Sequence, residues 1–165
     1  VSALPLDRAR GIRLLVLDVD GVLTDGRLFI SAAGEEFKAF HVRDGAGLVA
    51  LRRAGITVAI ISGRDSMSVT RRAEELGIAH VLQGIQDKGA ALDGLLQQLG
   101  MTGDVAACVG DDSPDIPMLQ RARLAIAVAD AHSSVRAAAH WVTSAGGGLG
   151  AVREVCDLLL EARGS

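Results

Sequence analysis

The sequence predicts an α/β chain: a doubly wound parallel sheet with a β-hairpin flap and no cap domain. Three observations carry this expectation. Apolar runs rich in Val, Ile, Leu and Ala recur at 13–17, 57–61, 105–109 and 124–128, and unbroken runs of that length suit strands covered on both faces. Stretches of helical period lie between them, several stopping at a glycine such as Gly55, Gly77 or Gly100, a residue that ends helices without strain. Residues with chemistry follow the runs directly: Asp18 and Asp20, Ser62 and Gly63, Asp111 and Asp112. Open α/β sheets bind ligands just outside the carboxyl ends of their strands.

In chain order, residues 1–10 form a short lead, loose or partly helical. Residues 13–17 are the first strand. Residues 28–31 and 36–41 read as a hairpin around Ala32, Ala33 and Gly34, and all three Phe residues of the chain, Phe29, Phe37 and Phe40, fall within it. The period turns helical at Ala46 and runs to Gly55. A strand at 57–61 is followed by a helix that starts at Asp65 or Ser66 and ends before Gly77. Then come a short strand at 80–82, a helix at 88–99 and a strand at 105–109. Ser113 with Pro114 opens a helix, since Pro is favoured in the first helical position. A strand at 124–128, a helix at 133–139 and a short strand at 141–143 lead to Gly-rich 146–150, expected as a flexible link. A final helix covers 151–162.

With 165 residues, the chain fits one domain over 1–165, with the hairpin flap at about 26–42 and the tail helix at about 150–162. Half of it is hydrophobic (49%), as an α/β core requires, and a net charge of −3 argues against a nucleic-acid surface. No apolar run approaches a membrane span, and the N-terminus lacks a signal-peptide pattern. Cys108 and Cys156 form no CxxC pair and read as reduced, buried thiols. The expected location is the cytoplasm, with no membrane partner.

Asp18 and Asp20 stand one residue apart at a strand end, with Gly21 next. Alone, such a turn reads as an ordinary strand terminus. Two carboxylates this close repel unless a cation lies between them or one is protonated. A Mg2+ site that holds a phosphoryl group, with one carboxylate free to attack it, satisfies that constraint. Ser62-Gly63-Arg64, Lys88 at a helix start, and Gly110-Asp111-Asp112-Ser113-Pro114-Asp115 supply further stations for one crevice.

This order resembles the haloacid dehalogenase superfamily of aspartyl-phosphate phosphatases, whose four motifs are all present. Asp18-Val19-Asp20-Gly21-Val22-Leu23-Thr24-Asp25-Gly26, Gly34-Glu35-Glu36-Phe37-Lys38-Ala39-Phe40 and Val42-Arg43-Asp44-Gly45 resemble the 3-deoxy-D-manno-octulosonate 8-phosphate phosphatase family. Residues 127–132 and 150–159 continue the match. The resemblance implies a Mg2+-dependent phosphatase of lipopolysaccharide precursor synthesis, with Asp18 as nucleophile and Asp20 as general acid and base. Asp18, the backbone carbonyl of Asp20 and Asp111 would hold the metal. Asp112 and Asp115 would hold metal waters or Lys88. Ser62 and Lys88 would bind the phosphoryl group, the latter stabilising its charge. Gly21, Thr24, Gly63, Arg64, Arg72 and Asp44 are candidates for the substrate or the lid, Arg being suited to a sugar acid's carboxylate. His41 stands where the family often has Asn, and Leu149 where relatives can carry a basic residue.

The resemblance also implies a homotetramer whose hairpins close over neighbouring sites. The alternatives are the same chemistry on a nine-carbon sugar acid 9-phosphate, a phosphorylated signalling receiver, or an inactive oligomerisation module of a sugar nucleotidyltransferase. Gly146-x-Gly148-x-x-Ala151 matches a dinucleotide fingerprint, but no strand and acidic residue follow it. His132 and His140 lack zinc-site spacing.

Overall fold

A computed structural model of the chain describes residues 4–164. Residues 1–3 of the expected lead, and Ser165, lie outside the described residues. The strands are β1 (Leu14–Leu17), β2 (Phe29–Ile30), β3 (Glu36–Phe37), β4 (Thr57–Ile61), β5 (His80–Leu82), β6 (Ala106–Gly110), β7 (Leu124–Ala127) and β8 (Trp141–Val142). The α-helices are α1 (Leu6–Ala9), α2 (Val42–Arg53), α3 (Met67–Leu76), α4 (Lys88–Leu99), α5 (Ile116–Leu119), α6 (Ser133–Ala138) and α7 (Ala151–Gly164).

Six strands form one parallel sheet in the order β5-β4-β1-β6-β7-β8. β1 lies inside it because Leu14, Leu15, Val16 and Leu17 offer nothing to water, and all four are fully buried. Leu17 pairs with Ile60 on one side and Val109 on the other. The chain winds outward from β1 to β5, then returns to build β6, β7 and β8 on the opposite side. This reversal opens a crevice beside β1 at its carboxyl end. The expected doubly wound α/β architecture is therefore present, with no cap domain among the described residues.

α2 and α7 pack on each other, with α1 against α7, while α4, α5 and α6 pack together. α2 approaches α7 closely at Gly47, where a Cβ would stand 2.9 Å from that of Cys156. One turn earlier, buried Asp44 accepts a hydrogen bond from the Arg153 N–H (2.9 Å) in the first turn of α7. That N–H has no partner within its own helix, so Asp44 serves as a cap supplied from α2. Its other oxygen, Oδ2, is buried without a hydrogen-bond partner. Burial pushes the Asp44 carboxyl above the ordinary value, against the opposing pull of the Arg153 N–H and the charges of His41, Arg153 and Arg72.

Several boundaries differ from expectation. α2 starts at Val42 rather than near Ala46, because His41 caps it: His41 Nδ1 accepts from the Arg43 N–H at 3.1 Å. Val42, Arg43 and Asp44 therefore belong to a helix and not to the end of the flap. The hairpin ladder is only two residues per strand, pairing Phe29 with Phe37 and Ile30 with Glu36. β6 begins one residue late because Val105 closes a 3-10 turn, Gly103–Val105. The lead contains α1, and the tail helix extends to Gly164.

The Asp44 cap yields a stability test. Asp44→Ala strands the Arg153 N–H and should cost about 1–3 kcal/mol. Asp44→Asn keeps an acceptor and adds a donor where Oδ2 has no partner, so it should be near wild type at neutral pH. Folding raises this carboxyl above 3.8, so the native chain binds its proton more tightly than the unfolded chain. The wild type should therefore gain stability relative to Asp44→Asn as pH falls from neutral towards 3.8, and lose it as pH rises through the folded value. Thermal melts across that range check both points. An Asn variant as unstable as the Ala variant would contradict the cap.

Candidate active site

A cleft of about 270 Å3 opens at the carboxyl ends of β1, β4 and β6. The turn after β1 is tight: the Val22, Leu23 and Thr24 N–H groups all donate to the Val19 carbonyl, at 3.1, 2.9 and 3.1 Å. It presents Asp18 and Asp20 to the cleft. Gly21 sits at φ +93°, and a Cβ there would run into the Asp111 carboxylate. Only glycine relieves both the backbone strain and the overlap, so Gly21 allows the loops after β1 and β6 to meet.

Lys88 opens α4, with Asp87 as N-cap, its Oδ1 accepting from the Ala90 N–H at 3.0 Å. The lysine points inward, only 4% exposed. Its Nζ donates to Asp18 Oδ1 at 2.7 Å and to Asp115 Oδ1 at 2.6 Å. Asp115 Oδ2 accepts from the N–H groups of Asp111 (2.8 Å) and Asp112 (3.2 Å). Asp115 thus holds Lys88 and the loop after β6 together. Asp112 caps the following 3-10 turn, Ser113–Asp115, its Oδ1 accepting from the Ser113 N–H at 2.7 Å, and also lines the cleft. Ser62 and Gly63, after β4, form the opposite wall with Arg64.

Asp18, Asp111 and Asp115 each bring one carboxylate oxygen within 4.8 Å of the others. Burial, then the Asp115 charge, pushes the Asp18 carboxyl above its ordinary range, with Lys88 opposing. Burial, then Asp18 and Asp115, pushes Asp111 up as well. Burial works against the Lys88 charge, yet Asp18 and Asp115 outweigh it and hold its pKa above the ordinary value. With all three carboxyls ionised, one ammonium would leave two negative charges, which one Mg2+ balances. The donors are all oxygen, which suits a hard cation. The residues present therefore fit the expected metal.

Two hairpin residues join the site at Asp20, Lys38 directly and Glu36 through Lys38 and Arg64. Lys38 Nζ donates to Asp20 Oδ1, and Glu36 Oε2 accepts from Arg64 Nη2 at 2.7 Å. Both come from the hairpin. Their alternation with Phe37, which puts Glu36 and Lys38 on one face of the ribbon, was the available signal.

Four expected substrate residues, Gly21, Thr24, Asp44 and Arg72, do not line the cleft within this chain. Thr24 is buried, and its Oγ1 accepts from the N–H groups of Gly21 (3.3 Å) and Gly26 (3.1 Å), so it shapes the turn from behind. Asp44 faces α7, as described above. Arg72 pairs with Glu75 at 2.7 Å and lies over the Phe40 ring, 5.9 Å from its centroid. Gly-rich 146–150 is not a flexible link either. The Gly148 N–H donates to the Val22 carbonyl (3.0 Å) and the Gly147 N–H to Asp130 Oδ1 (2.9 Å). A Cβ on Gly147 would overlap the Gly21 carbonyl, so this segment braces the turn that carries Asp18 and Asp20. His132 caps α6, and His140 Nδ1 accepts from the Ala125 N–H, both structural roles.

A family model for haloacid dehalogenase-like hydrolases matches residues 77–147. The 3-deoxy-D-manno-octulosonate 8-phosphate phosphatase KdsC of Escherichia coli K12 is 49% identical over 164 residues, covering 99% of this chain and 87% of that protein. The Moraxella catarrhalis 3-deoxy-D-manno-octulosonate 8-phosphate phosphatase, solved with a magnesium ion, a phosphate ion and a KDO molecule, superposes with a TM-score of 0.95 at 46% identity. That likeness covers 96% of this chain and 91% of that one. The cobalt-bound deoxy-D-mannose-octulosonate 8-phosphate phosphatase of Haemophilus influenzae gives a TM-score of 0.92 at 44% identity, covering 95% and 92%. Nearly full-length kinship joins a cleft whose carboxylates converge on one lysine: the chain belongs to the 3-deoxy-D-manno-octulosonate 8-phosphate phosphatase family of haloacid dehalogenase-like hydrolases.

Proposed function

We propose that the chain hydrolyses 3-deoxy-D-manno-octulosonate 8-phosphate to 3-deoxy-D-manno-octulosonate and inorganic phosphate. The reaction depends on Mg2+ and serves lipopolysaccharide precursor synthesis. The observation that carries the reading is the convergence of Asp18, Asp111 and Asp115 on Lys88 in one cleft, in a chain of this family. The catalytic unit is one domain over 1–165.

Asp18 is the nucleophile: one carboxylate oxygen attacks phosphorus while the bond to the sugar oxygen breaks. Asp20 gives that oxygen its proton, then takes one from the water that attacks the aspartyl-phosphate. The second attack breaks the bond between Asp18 and phosphorus and returns both carboxylates to their starting state. Lys88 stabilises negative charge on the transferring group and keeps Asp18 oriented, and Ser62 donates to a phosphoryl oxygen. Asp18, Asp111 and the Asp20 backbone carbonyl hold Mg2+, which when bound shields the carboxylates from the phosphoryl oxygens. Asp115 and Asp112 stay on Lys88 and the loop backbone. Gly63 and Arg64 border the substrate, and Gly21 lets the turn that carries Asp20 close against Asp111.

No helix among the described residues is long and apolar enough to cross a membrane. The finer reading, activity in the cytoplasm, accords with free, buried Cys108 and Cys156. For assembly we infer a homotetramer joined through the hairpins. Phe29, Ile30 and Phe37 are 51%, 64% and 58% exposed, with Phe29 and Phe37 paired on one face of the ribbon and Ile30 on the other, apolar exposure of the kind that marks a partner surface. Copies of the ribbon would cover it and satisfy its open strand edges. Thr24, Arg72 and Asp44 then belong to the loop and helices beneath the flap.

Phosphate release should require Mg2+, disappear in chelator, and not return with Zn2+ alone. Asp18→Asn should lower it more than about a thousandfold without loss of fold. Activity that survives chelation, or wild-type turnover in that variant, would remove the metal or the nucleophile from the reading. Phe29→Asp or Phe37→Asp should give smaller assemblies by light scattering while circular dichroism stays unchanged. An unaltered mass in both variants would contradict the hairpin as the joint.

A further inference from the structure

Asp20 is held in a ring of charges made with Lys38, Glu36 and Arg64. Lys38 directly follows β3, and its side chain is wholly excluded from solvent. It donates to Asp20 Oδ1 and stands 3.3 Å from Glu36 Oε1, a charge contact without hydrogen-bond geometry. Glu36 Oε2 accepts from Arg64 Nη2 at 2.7 Å, and Arg64 Nε lies 4.0 Å from Asp20 Oδ2. Ser68 Oγ donates to the Glu36 carbonyl at 3.4 Å, which ties the ribbon to the first turn of α3 in its own chain. Two carboxylates and two cations alternate around the ring, so it closes without net charge. Its members come from the turn after β1, the hairpin and the loop after β4.

Burying a lysine side chain costs rotamer freedom, so the contact calls for a reason. Lys88 is the lysine bonded to the nucleophile Asp18, whereas Lys38 meets Asp20. The ring does fix a carboxylate. Asp20 turns about two side-chain torsions, and the terminal one is broad and weakly preferring. With Oδ1 tied to Lys38, Oδ2 is the oxygen left to exchange a proton with the leaving group.

We propose that Lys38, held by Glu36 and Arg64, is a positioning residue that sets the orientation of the Asp20 carboxylate for proton transfer. The proposal rests on the reading of Asp20 as general acid. It makes the hairpin part of the chemistry of the chain that carries it, beyond any lid it offers a neighbour.

The test separates proton donation from everything else. Phenyl phosphate and p-nitrophenyl phosphate share a shape at the reacting end. They differ in how much the departing oxygen needs a proton. The ratio of their kcat/KM values reports only steps up to departure of that oxygen, before water attacks the phosphorylated enzyme. Lys38→Met should shift the ratio against phenyl phosphate by about tenfold, the scale expected for a misaligned proton donor. Lys38→Arg should restore most of it. Asp20→Asn should shift the ratio in the same direction and further. Equal losses on both esters in Lys38→Met, or no loss, while Asp20→Asn shifts the ratio, would overturn the positioning role and leave Asp20 as the acid. An unshifted ratio in Asp20→Asn would overturn that reading and the proposal with it. If circular dichroism shows Lys38→Met unfolded, Glu36→Gln takes its place. It must shift the ratio in the same direction, and an unshifted ratio there overturns the proposal.

Discussion

Lys88, buried between Asp18 and Asp115, is the interaction on which the rest of the site depends. A buried ion pair contributes little net stability, but removing one partner costs about 3–5 kcal/mol because the survivor stays charged and dry. Here one ammonium serves two carboxylates, and a third, Asp111, lies within reach of both. The excess negative charge gives a divalent cation its place and raises the pKa of Asp18 and Asp111 through burial and mutual repulsion. α4 brings the lysine in at its first residue, and β1 and β6, adjacent in the sheet, bring the acids. The order of strands is therefore what assembles the chemistry.

Backbone contacts keep that assembly rigid. The turn after β1 folds on the Val19 carbonyl, receives the Asp111 carboxylate against Gly21, and is braced from behind by Gly147 and Gly148. No cap domain lies over the cleft among the described residues. Close backbone packing limits motion beneath the turn, and the charge ring on Asp20 does so above it.

The sheet was legible because its strands are unbroken apolar runs with polar residues at one end only, as in β1 followed by Asp18. Asp18, Asp20, Ser62, Lys88 and Asp111 were legible because each stands at a strand end or helix start, where position in sequence nearly fixes position in space. Lys38 and Glu36 were not, since their meaning depends on where a hairpin folds. Thr24 and Asp44 looked like substrate contacts because they flank that hairpin in the chain. Burial turned one towards the loop backbone and the other towards α7. The start of α2 was missed because His41, outside the usual Ser, Thr, Asp and Asn caps, supplies the capping atom. The glycines at 146–150 suggested flexibility from composition alone, whereas what glycine allows here is close contact.

Mass spectrometry of trapped enzyme shows whether Asp18 carries the phosphoryl group. Asp20→Asn mixed with 3-deoxy-D-manno-octulosonate 8-phosphate and Mg2+ is quenched in acid, digested and mapped. The account predicts one phosphoryl group on the peptide that contains Asp18, absent without substrate. Sugar release by this variant with no phosphoryl group on any peptide, or with one on a different residue, would contradict it.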